Sequence, residues 1–420
     1  MYDTVSRVAS TPSRPAASGA GWAGSAKSSS ADAGTGAKAD VRLVAWGSYD
    51  KGKPRVRLLI DALRRKGRLA GEIHIDIWQG IEDKAVAGKG RMAIAIARAL
   101  ATYPRAILQL LRQPRTLPVL LPYPAILDAF VLWPFARLRR QAIIFDAFIP
   151  LHDTIVNDRK WLRRGGLRAR LLWQVERLAL AMADVVLVDT DEHGRYFSET
   201  FGVPAARCIT VPVGAEPLFW DARHRADLPA PPAGLPPRYA LFYGQFIPLH
   251  GIETILEAAL ASVGTPVHWL IIGRGQEDAA ARTFLDRHAP GNVTWLPWVD
   301  YAQLPSIIRG AVISLGIFGT SDKAARVIPN KMFQILAAGG AIITRASPAV
   351  AALAQRYPDA IRLVPPGDAP ALAEAVAQAF ARPRPAVIAA TARAALSPDD
   401  GVDALVQLLT LARGEPACRS

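Results

Sequence analysis

The 420-residue chain has only two cysteines, Cys208 and Cys418, which are too far apart in sequence to form a metal or thiol-redox motif. This excludes a disulfide framework and a zinc site built on Cys pairs, and leaves one buried thiol and one near the end of the chain. Long apolar runs are also scarce. The most apolar stretch, 118–135, is interrupted by prolines and by Asp128, so it reads as a buried strand followed by an amphipathic helix and not as a membrane span. No Walker loop, serine-hydrolase elbow or zinc pattern occurs, and no short repeat that would build a solenoid. The first 40 residues are rich in Ser, Ala and Gly without an apolar run. They fit neither a signal peptide nor a packed segment, so a disordered tail is expected over 1–40.

Positive charge, by contrast, is abundant. Fifty Lys and Arg against 36 Asp and Glu give a net charge of +14, which favours anionic partners. The densest patch lies between Arg137 and Arg170 and suits anionic lipid headgroups or a lipid-linked diphosphate. Trp161 is the one aromatic within the dense run of cations from Arg159 to Arg170, so nucleic acid is not the expected partner.

From residue 41 onward, short apolar runs alternate with longer helical patterns, the signature of a parallel α/β sheet. Strands are expected at Val41–Trp46, Glu72–Trp78, Pro118–Leu121, Ala142–Phe145, Ala183–Val188 and Ile209–Pro212. A helix over Arg91–Arg112 should break near Pro104, and the helix after Val188 should be capped by Asp189 or Asp191. The proline-rich segment LPAPPAGLPP (228–237) then reads as a semi-rigid linker to a second α/β unit. The expected division is a tail (1–40), a Rossmann-like domain (41–220), a linker (221–237), a second such domain (238–385) and a closing helix and tail (386–420). The two domains should face a cleft, with functional residues at the carboxyl ends of strands.

The most informative stretch is GTSDKAARVIPNKMFQILAAGGAIIT (319–344). A strand runs into a loop holding Lys323, Arg326, Asn330 and Lys331, and a helix follows directly. Cations beside a helix N-terminus suit a phosphate. In the first domain, Gly47, Gly52 and Lys53 form a Gly-containing loop whose backbone can approach a ligand, with Lys53 a point charge for phosphate. Asp146, at the end of a strand, is a general-base candidate, and His152 and Asp153 follow in a polar loop. Asp189-Thr190-Asp191 matches a metal-binding Asp-x-Asp, but its place between strand and helix favours capping, and His193 adds no metal spacing.

The second unit resembles the group 1 glycosyltransferases (glycosyltransferase family 4) of the GT-B fold. The matching stretches are YGQFIPLHGIETILEAA (243–259), WLIIGRGQE (269–277), the strand and loop 311–331, and FQILAAGGAIIT (333–344). Weaker matches occur at 41–53, 143–160 and 209–220. The resemblance implies retaining, metal-independent hexosyl transfer from a nucleoside-diphosphate sugar (UDP or GDP), with no further cofactor. It puts the donor in the second domain, near Gly244, Gln245, His250, Gly273, Lys323, Arg326, Asn330, Lys331 and Gln334, and the acceptor in the first. Two family glutamates are replaced here by Arg326 and Gln334, and a family Arg and Lys by Gln245 and His250. Diphosphate charge is therefore expected to be met mainly from 323–331. A lipid-linked or surface-glycan acceptor at the cytoplasmic face of a membrane is the expected setting. A non-catalytic partner in polysaccharide assembly is the alternative.

Overall fold

The computed structural model describes residues 41–77, 89–220, 222–382 and 396–414. The expected tail over 1–40, Trp78 of the second expected strand, and Cys418 lie outside the described residues. The first half runs β1 (Leu43–Gly47), α1 (Pro54–Arg65), β2 (Leu69–His74), α2 (Lys89–Leu111), β3 (Val119–Leu121) and α3 (Ile126–Arg139). It continues with β4 (Ile143–Asp146), a π-helical segment (Asp153–Asp158), α4 (Leu167–Ala181), β5 (Val185–Val188), α5 (Asp191–Phe201) and β6 (Cys208–Thr210). All pairings are parallel, in the order β2-β1-β3-β4-β5-β6. Strands β1, β3, β4 and β5 are buried throughout, which is why they read as continuous apolar runs without alternation.

The second half runs β7 (Ala240–Tyr243), α6 (Ile252–Ala261), β8 (Trp269–Ile272), α7 (Asp278–His288), β9 (Val293–Leu296) and α8 (Leu304–Gly310). Then come β10 (Ile313–Leu315), α9 (Asp322–Arg326), α10 (Asn330–Ala337), β11 (Ile342–Arg345), α11 (Pro348–Arg356), β12 (Ile361–Val364) and α12 (Ala369–Ala381). Its sheet is parallel in the order β12-β11-β10-β7-β8-β9. Each sheet changes direction of growth at one point, between β1 and β3 and between β7 and β10. In such sheets the crevice beyond the carboxyl ends of the two strands at that point is the natural ligand site.

A last helix, α13 (Asp399–Gly414), returns to the first half. Its Val402, Leu405 and Leu409 join Val41, Leu43, Leu59 and Val211 in one core. Arg65–Asp399 (2.8 Å) and Lys66–Asp403 (2.7 Å) flank the contact. The proline-rich connection is anchored on α8 and the turn before it, with Ser306 donating to the Pro229 carbonyl at 2.6 Å and Gln303 to that of Ala230 at 2.8 Å.

Two local expectations need correction. Helix α2 passes through Pro104 without a break. A proline removes one rung of the ladder, and packing of Ala106, Ile107 and Leu110 in the first core keeps the helix on course. Helix α5 is capped by neither aspartate: Thr190 is the N-cap, and its hydroxyl accepts from the His193 N–H at 3.1 Å. Asp189 instead binds the His193 ring and Asp191 the Thr210 hydroxyl, so both carboxylates of the Asp-x-Asp match have protein partners.

Candidate functional site

At the β7/β10 switch point the loops after the two strands are joined by their backbones. Phe318 N–H donates to the His250 carbonyl (3.1 Å) and Gly319 N–H to that of Leu249 (3.2 Å). Gly251, at φ 65°, permits this approach: a Cβ there would lie 2.7 Å from the Gly319 nitrogen. Gly244, at φ 143°, turns the chain out of β7, and a Cβ on it would be 3.0 Å from the Lys331 ammonium. Gly273 backs directly onto the Gly244 carbonyl, so its part is to shape this turn.

Lys331 sits in the first turn of α10. Helical side chains lean toward the N-terminus of their helix, so its ammonium reaches back across the helix end to the two strand ends. It lies 3.9 Å from the centroid of the Phe242 ring and 3.4 Å from the Gly316 carbonyl. Lys331 is 5% exposed, and among the described residues no carboxylate pairs with it. Burial holds its pKa well below the ordinary lysine range. His250, whose Nδ1 contacts the Gln245 carbonyl, is likewise held well below the ordinary histidine range by burial and by the Lys331 charge. Gly244, Gln245, His250 and Lys331 thus form one cluster, and Asn330 opens the helix beside it.

The other two expected cations point elsewhere. Arg326 donates to Asp153 at 2.7 Å, and its guanidinium covers the Tyr196 ring at 4.4 Å. Lys323 donates to Asp158 (3.1 Å) and to the Thr154 hydroxyl (2.9 Å). The Thr190 hydroxyl donates to the Arg326 carbonyl at 2.7 Å. The π-helical segment of the first half is therefore joined to α9 of the second by two ion pairs. This departs from the expectation that the diphosphate charge is met mainly from 323–331, because Lys323 and Arg326 are paired with carboxylates and leave Lys331 as the cation of that segment without one among the described residues. Gln334 is also engaged by the protein. Its Nε2 donates to Glu216 (3.0 Å) and Tyr301 (2.8 Å), and its Oε1 accepts from Tyr243 (3.0 Å). The expected ribose contact would have to compete with that network.

In the first half, Asp146 is fully buried and held by the equally buried Arg55, with contacts of 2.8 and 3.1 Å. Arg55 also donates to the Val211 carbonyl. A carboxylate clamped by a guanidinium and without exposed surface is out of reach of a substrate hydroxyl, which argues against the general-base role expected for it. Gly47 lies against buried Asp128: a Cβ there would be 2.4 Å from Oδ2. Asp128 accepts from the Ser48 N–H (2.9 Å), the Ser48 hydroxyl (3.1 Å) and Tyr103 (2.6 Å), and burial raises its pKa to about 6. That network fixes the β1 loop. Gly52 turns on Asp50, and Lys53, exposed, precedes α1.

Spacing in the sequence gave no sign of Glu176, on α4. It accepts from the N–H groups of Leu151 and His152, both at 2.7 Å, and so caps the segment that carries His152 and Asp153. Burial pushes its pKa up to about 7. His152 is lowered by burial. His152 and Asp153 line a cavity of about 1100 Å³, bounded by the π-helical segment, α4, α5 and residues 320–326.

Comparison with known proteins agrees with this layout. Residues 237–382 match the model for glycosyl transferases group 1, and residues 31–214 that for the glycosyl transferase 4-like domain. A glycosyl transferase of Escherichia coli (strain K12), WcaI, assigned provisionally to colanic acid biosynthesis, is 27% identical over 146 residues, 34% of this chain. That match spans 36% of the relative's length. The sucrose-phosphate synthase of Thermosynechococcus elongatus is 17% identical, with a TM-score of 0.58 over 89% of this chain and 97% of its own. Anabaena HepE, solved in complex with UDP, is 12% identical, with a TM-score of 0.54 over 89% and 98%. These likenesses fix the fold as GT-B.

Proposed function

Because the chain belongs to the group 1 glycosyltransferases of the glycosyltransferase 4-like type, we propose that it moves a sugar from a nucleoside-diphosphate sugar to a glycan or lipid-linked acceptor, with retention at the anomeric carbon. The observation that carries the donor site is Lys331: a buried ammonium at the β7/β10 switch point, without a carboxylate partner among the described residues. A buried lone charge is costly, and a diphosphate beside it would offset that cost. In this reading Lys331, the backbone of the Gly244–Gln245 turn and the first N–H groups of α10 hold the diphosphate. They stabilise the charge that develops as the bond from the anomeric carbon to the diphosphate oxygen breaks. The acceptor hydroxyl attacks the same face, and its proton passes to the departing phosphate oxygen. No metal is needed for that charge balance.

The test is incubation of the purified chain with UDP- and GDP-sugars, UDP first because HepE was solved with it. Release of nucleoside diphosphate with an α-configured product from an α-donor, read by NMR, is expected. A β-product overturns retention. Absence of both transfer and slow donor hydrolysis with every donor overturns the enzymatic reading.

The same reading puts the protein at the cytoplasmic face of a membrane. Supporting it, Leu138 and Leu167 are each 83% exposed and Leu171 64%, on the adjoining helices α3 and α4, among Arg137, Arg140, Arg168 and Arg170. Exposed leucines among arginines suit the interface of an anionic bilayer. No described helix is long and apolar enough to cross a membrane. Co-sedimentation with phosphatidylglycerol vesicles, but not with phosphatidylcholine vesicles, is the expected result, and binding to neither overturns the placement.

A further inference from the structure

The geometry points to an acceptor that carries negative charge: a sugar bearing a phosphate or carboxylate, seated in the cavity between the π-helical segment, α4 and α9. This rests on the glycosyl-transfer reading and adds the chemical class of the acceptor. The cavity, about 1100 Å³, slightly exceeds the usual range for small-molecule sites, roughly 300–1,000 Å³, and leaves room for more than one sugar ring. Six basic side chains and three acidic ones line it. Two of the three acids are already neutralised, Asp153 by Arg326 and Asp158 by Lys323. The remaining cations, Lys160, Arg163, Arg164 and Arg170, are exposed, and no ion pair among the described residues engages them. The cavity therefore presents a surplus of positive charge and no carboxylate to match it beyond Asp322.

Two further features suit a sugar. Trp173, held by a stack on Phe201 (centroids 5.9 Å apart) and by the Arg177 guanidinium 5.7 Å from its ring centroid, adds a rigid apolar element to the wall. Buried Asp158 keeps Oδ1 without a hydrogen-bond partner, and His152 Nδ1 and Arg326 Nε are in the same condition. Half of the six unpartnered buried side-chain atoms among the described residues thus belong to residues of this one wall, a concentration that marks the wall as incompletely satisfied in the free protein. Helix α9 lines the cavity, and Lys331 follows five residues after Arg326 in sequence.

Binding of glucose 1-phosphate, a glucuronate-containing disaccharide and neutral maltose is to be measured by titration calorimetry on the full chain. A polyprenyl diphosphate-linked glucose in detergent micelles is the lipid-borne arm. The two anionic soluble sugars should bind at least about tenfold more tightly than maltose, and Arg163→Glu with Arg164→Glu should remove that preference. The preference should shrink as salt is raised, because these cations are exposed. Tighter binding of the micellar ligand than of glucose 1-phosphate assigns the charge to a lipid carrier. Equal soluble binding assigns it to the sugar itself. UDP-induced thermal stabilisation is measured on the same samples. If UDP protects but maltose binds as well as the anionic sugars, or the double variant binds glucose 1-phosphate unchanged, or no anionic probe binds, the acceptor assignment is overturned while the donor reading stands. Absence of UDP and GDP protection in the native chain overturns the donor reading instead.

Discussion

Arg326 of the second half donates to Asp153 of the first at 2.7 Å while its guanidinium covers the Tyr196 ring, so one side chain both pairs and stacks across the two halves. Asp153 is 2% exposed, and removing its partner leaves a buried carboxylate uncompensated. Arg326→Ala is expected to cost about 3–5 kcal/mol in urea unfolding. Arg326→Ala combined with Asp153→Ala should cost less than the sum of the two single variants. Strict additivity in that cycle would show that the pair is not coupled.

Lys331 makes opposite predictions for the free and liganded protein. Lys331→Met removes a buried charge that has no carboxylate partner, so the free protein should melt higher, by about 2 °C or more. The same change should weaken UDP or GDP binding about tenfold or more, the loss expected for a charge-assisted hydrogen bond. Thermal shift with and without nucleotide reads both effects in one experiment. A variant that melts lower and binds nucleotide normally would contradict both.

The pH dependence of donor binding follows from the same group. The folded-state pKa of Lys331 lies well below the lysine value of 10.5, so in the free protein stability falls as pH drops from 10.5 toward the folded value. A diphosphate favours the charged form and raises that pKa. Nucleotide affinity should therefore decline as pH rises through the free-protein pKa, with proton uptake on binding in that window. Calorimetry in two buffers of different ionisation enthalpy measures the uptake, and Lys331→Met should abolish it.

Glu176 gives a stability signature of opposite sign. Its pKa rises from 4.5 to about 7 on folding, so its contribution is present below pH 4.5 and is lost as pH rises to about 7. The amount is on the order of 3 kcal/mol. Urea midpoints between pH 4.5 and 7 should fall in the native chain and flatten in Glu176→Gln. Asp128, raised to about 6, should leave a smaller residual slope in the variant.

The Arg55–Asp146 pair separates a structural role from a catalytic one. Asp146→Asn is expected to lower stability by about 3–5 kcal/mol, because Arg55 is left buried with a neutral partner. Turnover by the fraction still folded at low temperature should remain within about tenfold of the native chain. A loss of a hundredfold or more with the fold intact would restore Asp146 as the base.

The layout was legible in the sequence because parallel strands buried on both faces appear as apolar runs, and their order gave both sheets. Lys331 was legible from its place beside a helix start in 319–344, and Gly244 and His250 from the resemblance carried by 243–259. What escaped was long-range pairing. Arg55 meets Asp146 across 91 positions, Gln334 meets Glu216 across 118, and Arg326 meets Asp153 across 173, distances at which local spacing carries no signal. For the same reason Lys323 and Arg326 read as phosphate ligands when taken alone: a cation in a loop looks the same whether its anion is a nucleotide or a distant aspartate. The mistaken aspartate caps of α5 have a local cause, since Asp, Thr and Asp are all good caps and the sequence does not say which position turns first.

Helix α13 bears on how the molecule is made during synthesis. Its Val402, Leu405 and Leu409 complete a core whose other members, Val41, Leu43, Leu59 and Val211 among them, leave the ribosome far earlier. The second half, contiguous in the chain, has all its strands by Val364, while the first must wait for a helix near the opposite end. The half made first is thus finished last, and its nascent form carries an unfilled apolar groove for as long as the second half is being translated.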